Sequence, residues 1–268
     1  MVKEILRQIL LPAKKRAWEY LKYYYDSEYR EWYFKHSKRL LRFKDIHKGE
    51  GCFIIGNGPS LKTMDLKPLK DYHTFGLNKI YLIFDRVDLN LSYHVAVNPL
   101  VIEQSAREFE SLVCPSFLSY RDARYLVRNL EHIYFIAWRG PITFQEDITK
   151  EIHGSTVTYI AMQIAYYMGF SKVFLIGVDH NFKVMGNPNE KQFLVGEDVN
   201  HFDPKYFSSK EWHLPDLEAS ELDYHLARFY FSRSGRQIYD STVGGKLQIF
   251  QKISYEKALE MCGKKLIK

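Results

Sequence analysis

The chain has 268 residues, of which 46% are hydrophobic and 26% charged, a composition typical of a folded globular protein rather than a disordered one. No apolar run reaches the roughly eighteen residues that a membrane-spanning helix needs, and the start, MVKEILRQILLPAKK, has too short an apolar stretch for a secretion signal. Three cysteines at irregular spacing indicate a reducing compartment and no metal cluster, so we expect a cytoplasmic protein.

The net charge of +6 comes entirely from the first fifty residues, which hold thirteen Lys and Arg against seven Asp and Glu. Residues 18–34 of this segment also contain nine aromatic residues. A basic aromatic helix suits peripheral contact with the anionic inner face of the cell membrane, and it equally suits an arm that packs on its own body or on a second subunit of a homo-oligomer. We therefore treat 1–48 as a helical arm with both uses open. The body has no excess of basic residues, so nucleic-acid binding is not expected.

After the arm, strands and helices alternate along the chain. Strands are predicted at CFIIG (52–56), HTFGLN (73–78), YHVAVN (93–98), HIYFIAW (132–138), KVFLIGVD (172–179) and RQIYDST (236–242). Helices are predicted over LKTMDLKPLK (61–70), PLVIEQSAREFESLV (99–113), STVTYIAMQIAYYMG (155–169) and DLEASELDYHLARFYFSRSG (216–235). This alternation predicts an α/β catalytic domain over 49–268, with a Rossmann-like, mostly parallel sheet and helices on both faces.

A glycine-rich turn, GNGPS (56–60), follows the first predicted strand. At the end of a parallel strand, such a turn presents free backbone N–H groups to a phosphate. Gly56 and Gly58 allow close backbone approach, and Asn57 offers amide donors. Ser60 is a natural N-cap for the helix predicted after it. The stretch matches neither the Walker A pattern nor the dinucleotide-binding pattern, and glycine that merely turns the chain is the alternative interpretation.

Polar residues also end three further strands, at Asn78, Asn98 and Asp179. Asparagine is unfavourable inside strands, but its amide can bind bases, ribose hydroxyls or phosphates beyond a strand end. The alternative for each residue is a turn that satisfies local backbone groups. Because ligands of open parallel sheets bind beyond the carboxyl ends of the strands, four polar strand ends predict a nucleotide site.

A long polar segment, about 181–217, separates two predicted elements and is interrupted by glycine and proline. Long ordered insertions of this kind are often lids over active sites. The segment contains His201, Tyr206 and His213. A histidine can take a proton from a sugar hydroxyl as that hydroxyl attacks an anomeric carbon, although a packing role is open for each one. The glycine turn, Lys210 or Tyr206 would stabilise the leaving phosphate.

The stretches GNGPS, FGLN, VNPLVIEQ and HGSTVTYIAMQIAYYMGFSKVFLIGVD together resemble the bacterial sialyltransferases of glycosyltransferase family 42. They resemble even more closely the related 6-hydroxymethylpterin diphosphokinase MptE-like family (domain of unknown function 115), which includes flagellin-modifying motility accessory factors. The resemblance extends over roughly residues 51–250 and leaves the arm outside. It implies the GT-A-like variant of the Rossmann-like fold.

The resemblance also implies positions for a CMP-sugar site and a catalytic base. Together with the glycine turn, it assigns donor binding to Gly56, Asn57, Gly58, Pro59, Ser60, Asn78, Asn98, Gly154, Ser155, Thr156, Gly177 and Asp179. In the sialyltransferases a lid histidine is the general base; His213 is the best match here, and His201 is its rival. Asn181 stands where those enzymes have a tyrosine, and Tyr206 is the catalytic tyrosine candidate.

We therefore predict an inverting glycosyltransferase that moves a nonulosonic-acid-type sugar from a CMP-activated donor to a surface-glycan or lipid-linked acceptor. No metal and no further cofactor is expected, since Asp179-His180 is not an Asp-x-Asp motif and no His/Cys cluster has metal-ligand spacing. One alternative is a 6-hydroxymethylpterin diphosphokinase that uses ATP and Mg²⁺, with Asp179 as the ligand. A noncatalytic nucleotide-binding scaffold is the other.

Overall fold

The structure, a computed structural model, describes residues 25–139, 143–183 and 185–265. Its main sheet contains β1 (Gly51–Ile55), β2 (His73–Leu77), β3 (Tyr93–Ala96), β4 (Ser116–Ser119), β5 (Ile133–Ile136), β6 (Lys172–Ile176), β9 (Gln237–Asp240) and β10 (Gln251–Lys252). The order across this eight-stranded sheet is β10-β9-β6-β1-β2-β3-β4-β5, and neighbouring strands are parallel. A separate antiparallel hairpin consists of β7 (Lys191–Leu194) and β8 (Lys210–His213). The predicted α/β architecture is confirmed.

Helices cover the sheet. The α-helices are α1 (Ser27–Lys35), α2 (Pro99–Ser111), α3 (Tyr120–Ala123), α4 (Val157–Tyr167), α5 (Leu217–Arg233) and α6 (Tyr255–Cys262). Short 3₁₀ helices span Ser37–Phe43, Pro59–Thr63, Lys67–Asp71 and Ile80–Ile83. Every residue of β1 is buried, so both faces of the sheet are covered at its centre. No helix in the described ranges combines the length and apolar character that crossing a bilayer requires.

The direction in which strands are added reverses between β1 and β6. From β1 the chain proceeds outward through β2, β3, β4 and β5, and after α4 it returns to place β6 on the other side of β1. A reversal of this kind opens a crevice beyond the carboxyl ends of the two central strands, where open α/β sheets bind their ligands. The fold therefore directs the turns after β1 and β6 towards a single location.

The segment after β1 differs from its prediction. The predicted helix over 61–70 is wrong, because two 3₁₀ helices, Pro59–Thr63 and Lys67–Asp71, stand in its place. Ser60 is not an N-cap: Gly58 occupies that position, and the Ser60 hydroxyl instead donates a hydrogen bond of 2.6 Å to Oδ2 of Asp179. Prolines near the start of each 3₁₀ helix limit both to a turn or two.

The described part of the basic arm packs on the chain's own body. Trp32 of α1 is completely buried, and its indole Nε1 donates a hydrogen bond of 2.9 Å to the carbonyl oxygen of Phe135 in β5. Tyr29 is also buried and lies against Trp32. The arm prediction over residues 1–24 lies outside the described residues.

Candidate functional site

A cleft of about 160 Å³ opens at the carboxyl ends of β1 and β6. Its walls include eight of the predicted site residues: Gly56, Asn57, Gly58, Asn78, Thr156, Gly177, Asp179 and His201. These residues come from the turns after β1, β2 and β6, from the start of α4 and from the lid. The structure thus brings together residues that are more than a hundred positions apart in the sequence.

A second cavity, of about 400 Å³, adjoins this cleft. It is lined by the predicted residues Asn98, Ser155, Tyr206 and His213. The two cavities have six lining residues in common: Asn78, Thr156, Val157, Phe182, His201 and Pro215. Pro59, Ser60 and Gly154 line neither cavity. We refer to the first cavity as the central cleft and to the second as the lid cavity.

The glycines after β1 allow the turn after β1 to pack closely against the turn after β6. The N–H of Gly56 donates to the carbonyl oxygen of Ile176 at 2.8 Å, and the N–H of Gly58 donates to that of Gly177 at 2.8 Å. A Cβ atom at Gly56 would overlap the Gly177 carbonyl, and one at Gly58 would overlap the Asp179 carboxylate. The N–H groups of Gly56 and Gly58 are therefore not free for a phosphate, because the carbonyls of Ile176 and Gly177 already accept them.

Asp179 links the turn after β6 to the turn after β1 through hydrogen bonds from Ser60. Its Oδ1 accepts a hydrogen bond of 3.0 Å from the backbone N–H of Ser60, and its Oδ2 accepts the Ser60 hydroxyl at 2.6 Å. Burial raises the pKa of the Asp179 carboxyl, and the hydrogen bonds from Ser60 act in the opposite direction. Both carboxylate oxygens are thus engaged in holding the turn after β1 against the turn after β6.

Two residues that line the central cleft have an amide oxygen without a hydrogen-bond partner. Oδ1 of Asn57 and Oδ1 of Asn78 are buried and accept no hydrogen bond from any of the described residues. The backbone carbonyl of Asn57 accepts from the N–H of Phe202, which ties the lid to the glycine turn at 2.9 Å. Asn78 has a backbone φ of 49°, a left-handed conformation that asparagine tolerates better than most residues. A buried acceptor without a donor costs about 1–3 kcal/mol, so these two amides are candidates for contact with a ligand.

Asn98 caps a helix with its amide oxygen and contacts His213 with its amide nitrogen. Its Oδ1 caps α2 by accepting from the backbone N–H groups of Leu100 at 3.0 Å and Val101 at 3.3 Å. Its Nδ2 consequently points away from the helix and lies 3.4 Å from Nδ1 of His213. An amide donor at Nδ1 places the proton of a neutral His213 ring on Nε2. Burial, and secondly Lys191, lowers the pKa of His213, which favours that neutral form.

His201 is oriented by a carboxylate that the sequence analysis did not select. Its Nδ1 lies 2.8 Å from Oδ2 of the buried Asp198, whose Oδ1 accepts from the N–H of Asn200 at 2.9 Å. The imidazole stacks on the Tyr206 ring with 4.0 Å between centroids, which fixes the plane of the ring. Asp198 lies three residues before His201, and this spacing in a loop was the available signal. Tyr206 itself is buried, with its hydroxyl accepting from the Lys79 N–H at 3.2 Å.

The amino end of α4 forms part of the wall of the central cleft. Thr156, Val157 and Thr158 line the central cleft at the amino end of this helix, where the helix dipole is positive. The preceding turn is held by Asp223 of α5, whose Oδ2 accepts the Ser155 N–H at 2.6 Å. Burial raises the pKa of Asp223 to about 6. The sequence analysis did not select Asp223, because a carboxylate inside an amphipathic helix looks like any solvated residue.

The family model for 6-hydroxymethylpterin diphosphokinase MptE-like proteins matches residues 28–184, more than half of the chain. The match includes α1, which the sequence analysis placed outside the resemblance. No curated protein matches.

A solved structure shares the fold. The MAf glycosyltransferase from Magnetospirillum magneticum AMB-1 aligns with a TM-score of 0.50 and 15% sequence identity. The alignment covers 82% of this chain and 38% of that chain, so this chain spans well under half the length of the solved relative. At this identity the likeness establishes a common fold.

Proposed function

The chain belongs to the 6-hydroxymethylpterin diphosphokinase MptE-like family, and from this starting point we propose that it is a glycosyltransferase with a CMP-activated sugar as its donor. The acceptor is a surface glycan or a lipid-linked glycan, and the transferred sugar is of the nonulosonic-acid type. The proposal depends on two residues that line a cleft at the strand reversal, Asn57 and Asn78, whose amide oxygens have no hydrogen-bond partner among the described residues. A fold in common with the MAf glycosyltransferase is consistent with it.

Donor binding follows from the groups that line the central cleft. The two amide oxygens accept hydrogen bonds from the cytosine amino group or the ribose hydroxyls, since both are donors. The phosphate lies against the amino end of α4, at Thr156 and Val157, where the helix dipole favours an anion. The lid covers the nucleotide, because the N–H of Phe202 is bonded to the carbonyl of Asn57.

Sugar transfer needs one base and one departing phosphate. We assign the base to His201: with Nδ1–H donated to Asp198, the lone pair of Nε2 is available to the cleft. The acceptor hydroxyl oxygen attacks the anomeric carbon, its proton passes to Nε2 of His201, and the bond from that carbon to the phosphate oxygen breaks. CMP leaves with the electron pair of that bond. Direct attack from the opposite side inverts the anomeric configuration.

His213 has a different role in this proposal. Its Nε2 carries the proton in the neutral ring, because Nδ1 faces the amide of Asn98. Nε2–H therefore donates a hydrogen bond to an oxygen of the sugar or the acceptor in the lid cavity, which His213 lines. The sequence prediction favoured His213 as the base; the carboxylate beside His201 is the reason for preferring the latter.

A Mg-ATP-dependent diphosphokinase is the second candidate, because the family description names that activity. Mg²⁺ in such enzymes is held by carboxylates together with the substrate phosphates. Asp179 is the only carboxylate among the described residues that line the central cleft, and Ser60 occupies both of its oxygens. This donor set does not fit Mg²⁺, which favours a monophosphate-linked donor without a metal.

A nucleotide screen tests the proposal. The melting temperature of the full chain is measured with CMP, CDP, UDP, GDP and ATP, each with and without Mg²⁺. Stabilisation by CMP without Mg²⁺ is expected, and it should be smaller in Asn57→Ala at the same CMP concentration. A response confined to Mg-ATP would support the diphosphokinase, and no response to any nucleotide would contradict both candidate activities.

A further inference from the structure

A cluster of two histidines and a glutamate lies at the amino-terminal edge of the sheet, opposite the edge that bears the central cleft. Glu50 immediately precedes β1, His73 is the first residue of β2, and His47 lies three positions before Glu50. Oε2 of Glu50 is 2.6 Å from Nδ1 of His47 and 3.0 Å from Nε2 of His73. One potential ligand atom from each residue lies within 4.8 Å of the other two.

Neighbouring side chains hold the His47 ring in place. The other ring nitrogen of His47, Nε2, lies 2.6 Å from the hydroxyl oxygen of Tyr93. A histidine that binds a metal through one nitrogen commonly makes such a hydrogen bond through the other, which fixes the ring and its tautomer. The Phe170 ring stacks on His47 at 4.5 Å between centroids and also contacts His73, so an apolar wall restricts solvent on one side.

The backbone next to the cluster favours a positive charge. The N–H groups of Asp45, His47 and Gly49 donate to the carbonyl oxygens of Tyr167, Met168 and Gly169. These carbonyls belong to the carboxyl end of α4, the negative end of its helix dipole. The segment that contains His47 and Glu50 is thus fixed against a helix terminus at which a cation is stabilised.

We propose that His47, Glu50 and His73 bind a divalent transition-metal ion, with Zn²⁺ as the best match, through Nδ1, Oε2 and Nε2. Two imidazoles and one carboxylate form a ligand set of the kind Zn²⁺ accepts, and typical Zn–N and Zn–O distances of about 2.0–2.2 Å require only small shifts of these atoms. Metal binding requires Nδ1 of His47 and Nε2 of His73 to carry no proton, so the single proton of each neutral ring moves to its other nitrogen. Nε2–H of His47 then donates to Tyr93, and water takes the fourth position.

The proposed ion has a structural role. It joins residues 47–50, which precede β1, to the first residue of β2 and so fastens the chain entering the sheet. Its position at the amino edge separates it from the central cleft, so its presence or absence is independent of the proposed glycosyl transfer. Glu50 is partly exposed, with 33% of its side chain accessible, which provides a path for the ion.

Metal content and melting temperature test the proposal on the full chain. The protein is treated with a chelator, incubated with ZnCl₂, freed of excess metal by gel filtration, and analysed for zinc. We expect one zinc per chain, a raised melting temperature, and absorption typical of tetrahedral Co²⁺ when cobalt replaces zinc. Loss of stoichiometric metal is expected in His73→Ala and in the near-isosteric Glu50→Gln, whereas His225→Ala, at an exposed histidine on α5, retains it.

Tyr93→Phe separates a metal site from a simple hydrogen-bonded cluster. Removal of this hydroxyl should weaken zinc binding about 10- to 100-fold, since it orients the His47 ring. The absence of stoichiometric zinc in the wild type would overturn the proposal. So would zinc binding that is equal in the wild type, His73→Ala and Glu50→Gln, because surface histidines would then account for it.

Discussion

Nδ1 of His201 lies 2.8 Å from Oδ2 of Asp198, and this contact decides which ring nitrogen faces the site. His213, the other lid histidine, has its Nδ1 beside an amide donor of Asn98 instead. The two rings are therefore held in opposite tautomers: His201 offers a lone pair at Nε2, and His213 offers a proton there. His201 lines both cavities, whereas His213 lines the lid cavity.

Substitution at His201 should separate catalysis from binding. His201→Ala is expected to lower kcat for CMP-sugar turnover by about 10²–10⁴-fold, because the general base is lost, and to leave the Kd for CMP within a few-fold. Asp198→Asn should lower kcat as well and alter its pH profile, since an amide no longer fixes the tautomer. Single-turnover kinetics and calorimetry measure the two quantities. His225→Ala is the control; wild-type kcat in His201→Ala would remove this residue as the base.

Gly58 should be intolerant of even a methyl group. Gly58→Ala is expected to lower the free energy of unfolding by about 1–3 kcal/mol, because the new Cβ overlaps the Asp179 carboxylate. In an Asp179→Ala background the same substitution should cost clearly less, since most of the obstructing atoms are gone. Urea denaturation of the wild type, the two single variants and the double variant gives the coupling energy between positions 58 and 179. Equal costs in both backgrounds would show that the two turns do not meet as described.

The first described helix should be part of the folded body. Trp32→Ala is expected to reduce the free energy of unfolding by about 3–5 kcal/mol, since a fully buried ring and its hydrogen bond to Phe135 are both lost. Phe34→Ala, two residues on, is the matched control: that ring is 70% exposed, and we expect a change within about 0.5 kcal/mol. Similar small effects at both positions would mean that α1 is only loosely attached.

The buried amine of Lys79 should give the protein a recognisable pH dependence. Burial lowers its pKa from 10.5 to about 7, and Nζ donates to Oε1 of Gln104 at 2.6 Å and to the carbonyl of Tyr206 at 2.8 Å. Between these two pKa values the unfolded chain binds the proton and the folded chain does not. The contribution of Lys79 to the free energy of unfolding therefore increases as the pH rises through this window.

Lys79→Met removes that contribution. Urea denaturation of wild type and variant at pH 7, 8 and 9 should give a shallower rise with pH in the variant, whatever its absolute stability. Parallel curves for the two proteins would contradict a lowered pKa at Lys79.

The sheet was predictable because its strands are short buried runs that end in polar or glycine residues. Strands β1, β2, β3, β5, β6 and β9 and helices α2, α4 and α5 lie where the apolar patterns place them. Strand β4 was not predicted, since Ser116 and Ser119 give it a polar appearance although both are buried. The two-residue β10 has too little sequence for a pattern. The helix predicted after Ser60 was wrong because Ser60 donates its hydrogen bond to the distant Asp179, and the local sequence does not distinguish this role from that of a helix N-cap.

The location of the site was predictable from the sequence, but the hydrogen-bond partners of its residues were not. Strand-end residues Asn57, Asn78 and Asp179 do line one cleft, since parallel strands end at one edge. Which of them is free depends on partners distant in sequence: Ser60 binds both oxygens of Asp179, whereas the Asn57 and Asn78 oxygens have no partner in the part of the chain that the structure describes. The same limit concealed the cluster of His47, Glu50 and His73, because it forms only when the starts of β1 and β2 lie side by side.

Calorimetric titration of CMP, without added Mg²⁺, into the wild-type chain and into Asn57→Ala tests the proposed donor site most directly. We expect saturable one-to-one binding to the wild type and about a tenfold weaker Kd in the variant, the loss of one hydrogen bond to a buried acceptor. Folding of the variant is verified by its melting temperature without nucleotide. No heat with CMP in the wild type, or identical affinity in both proteins, would contradict nucleotide binding through the unpartnered amide.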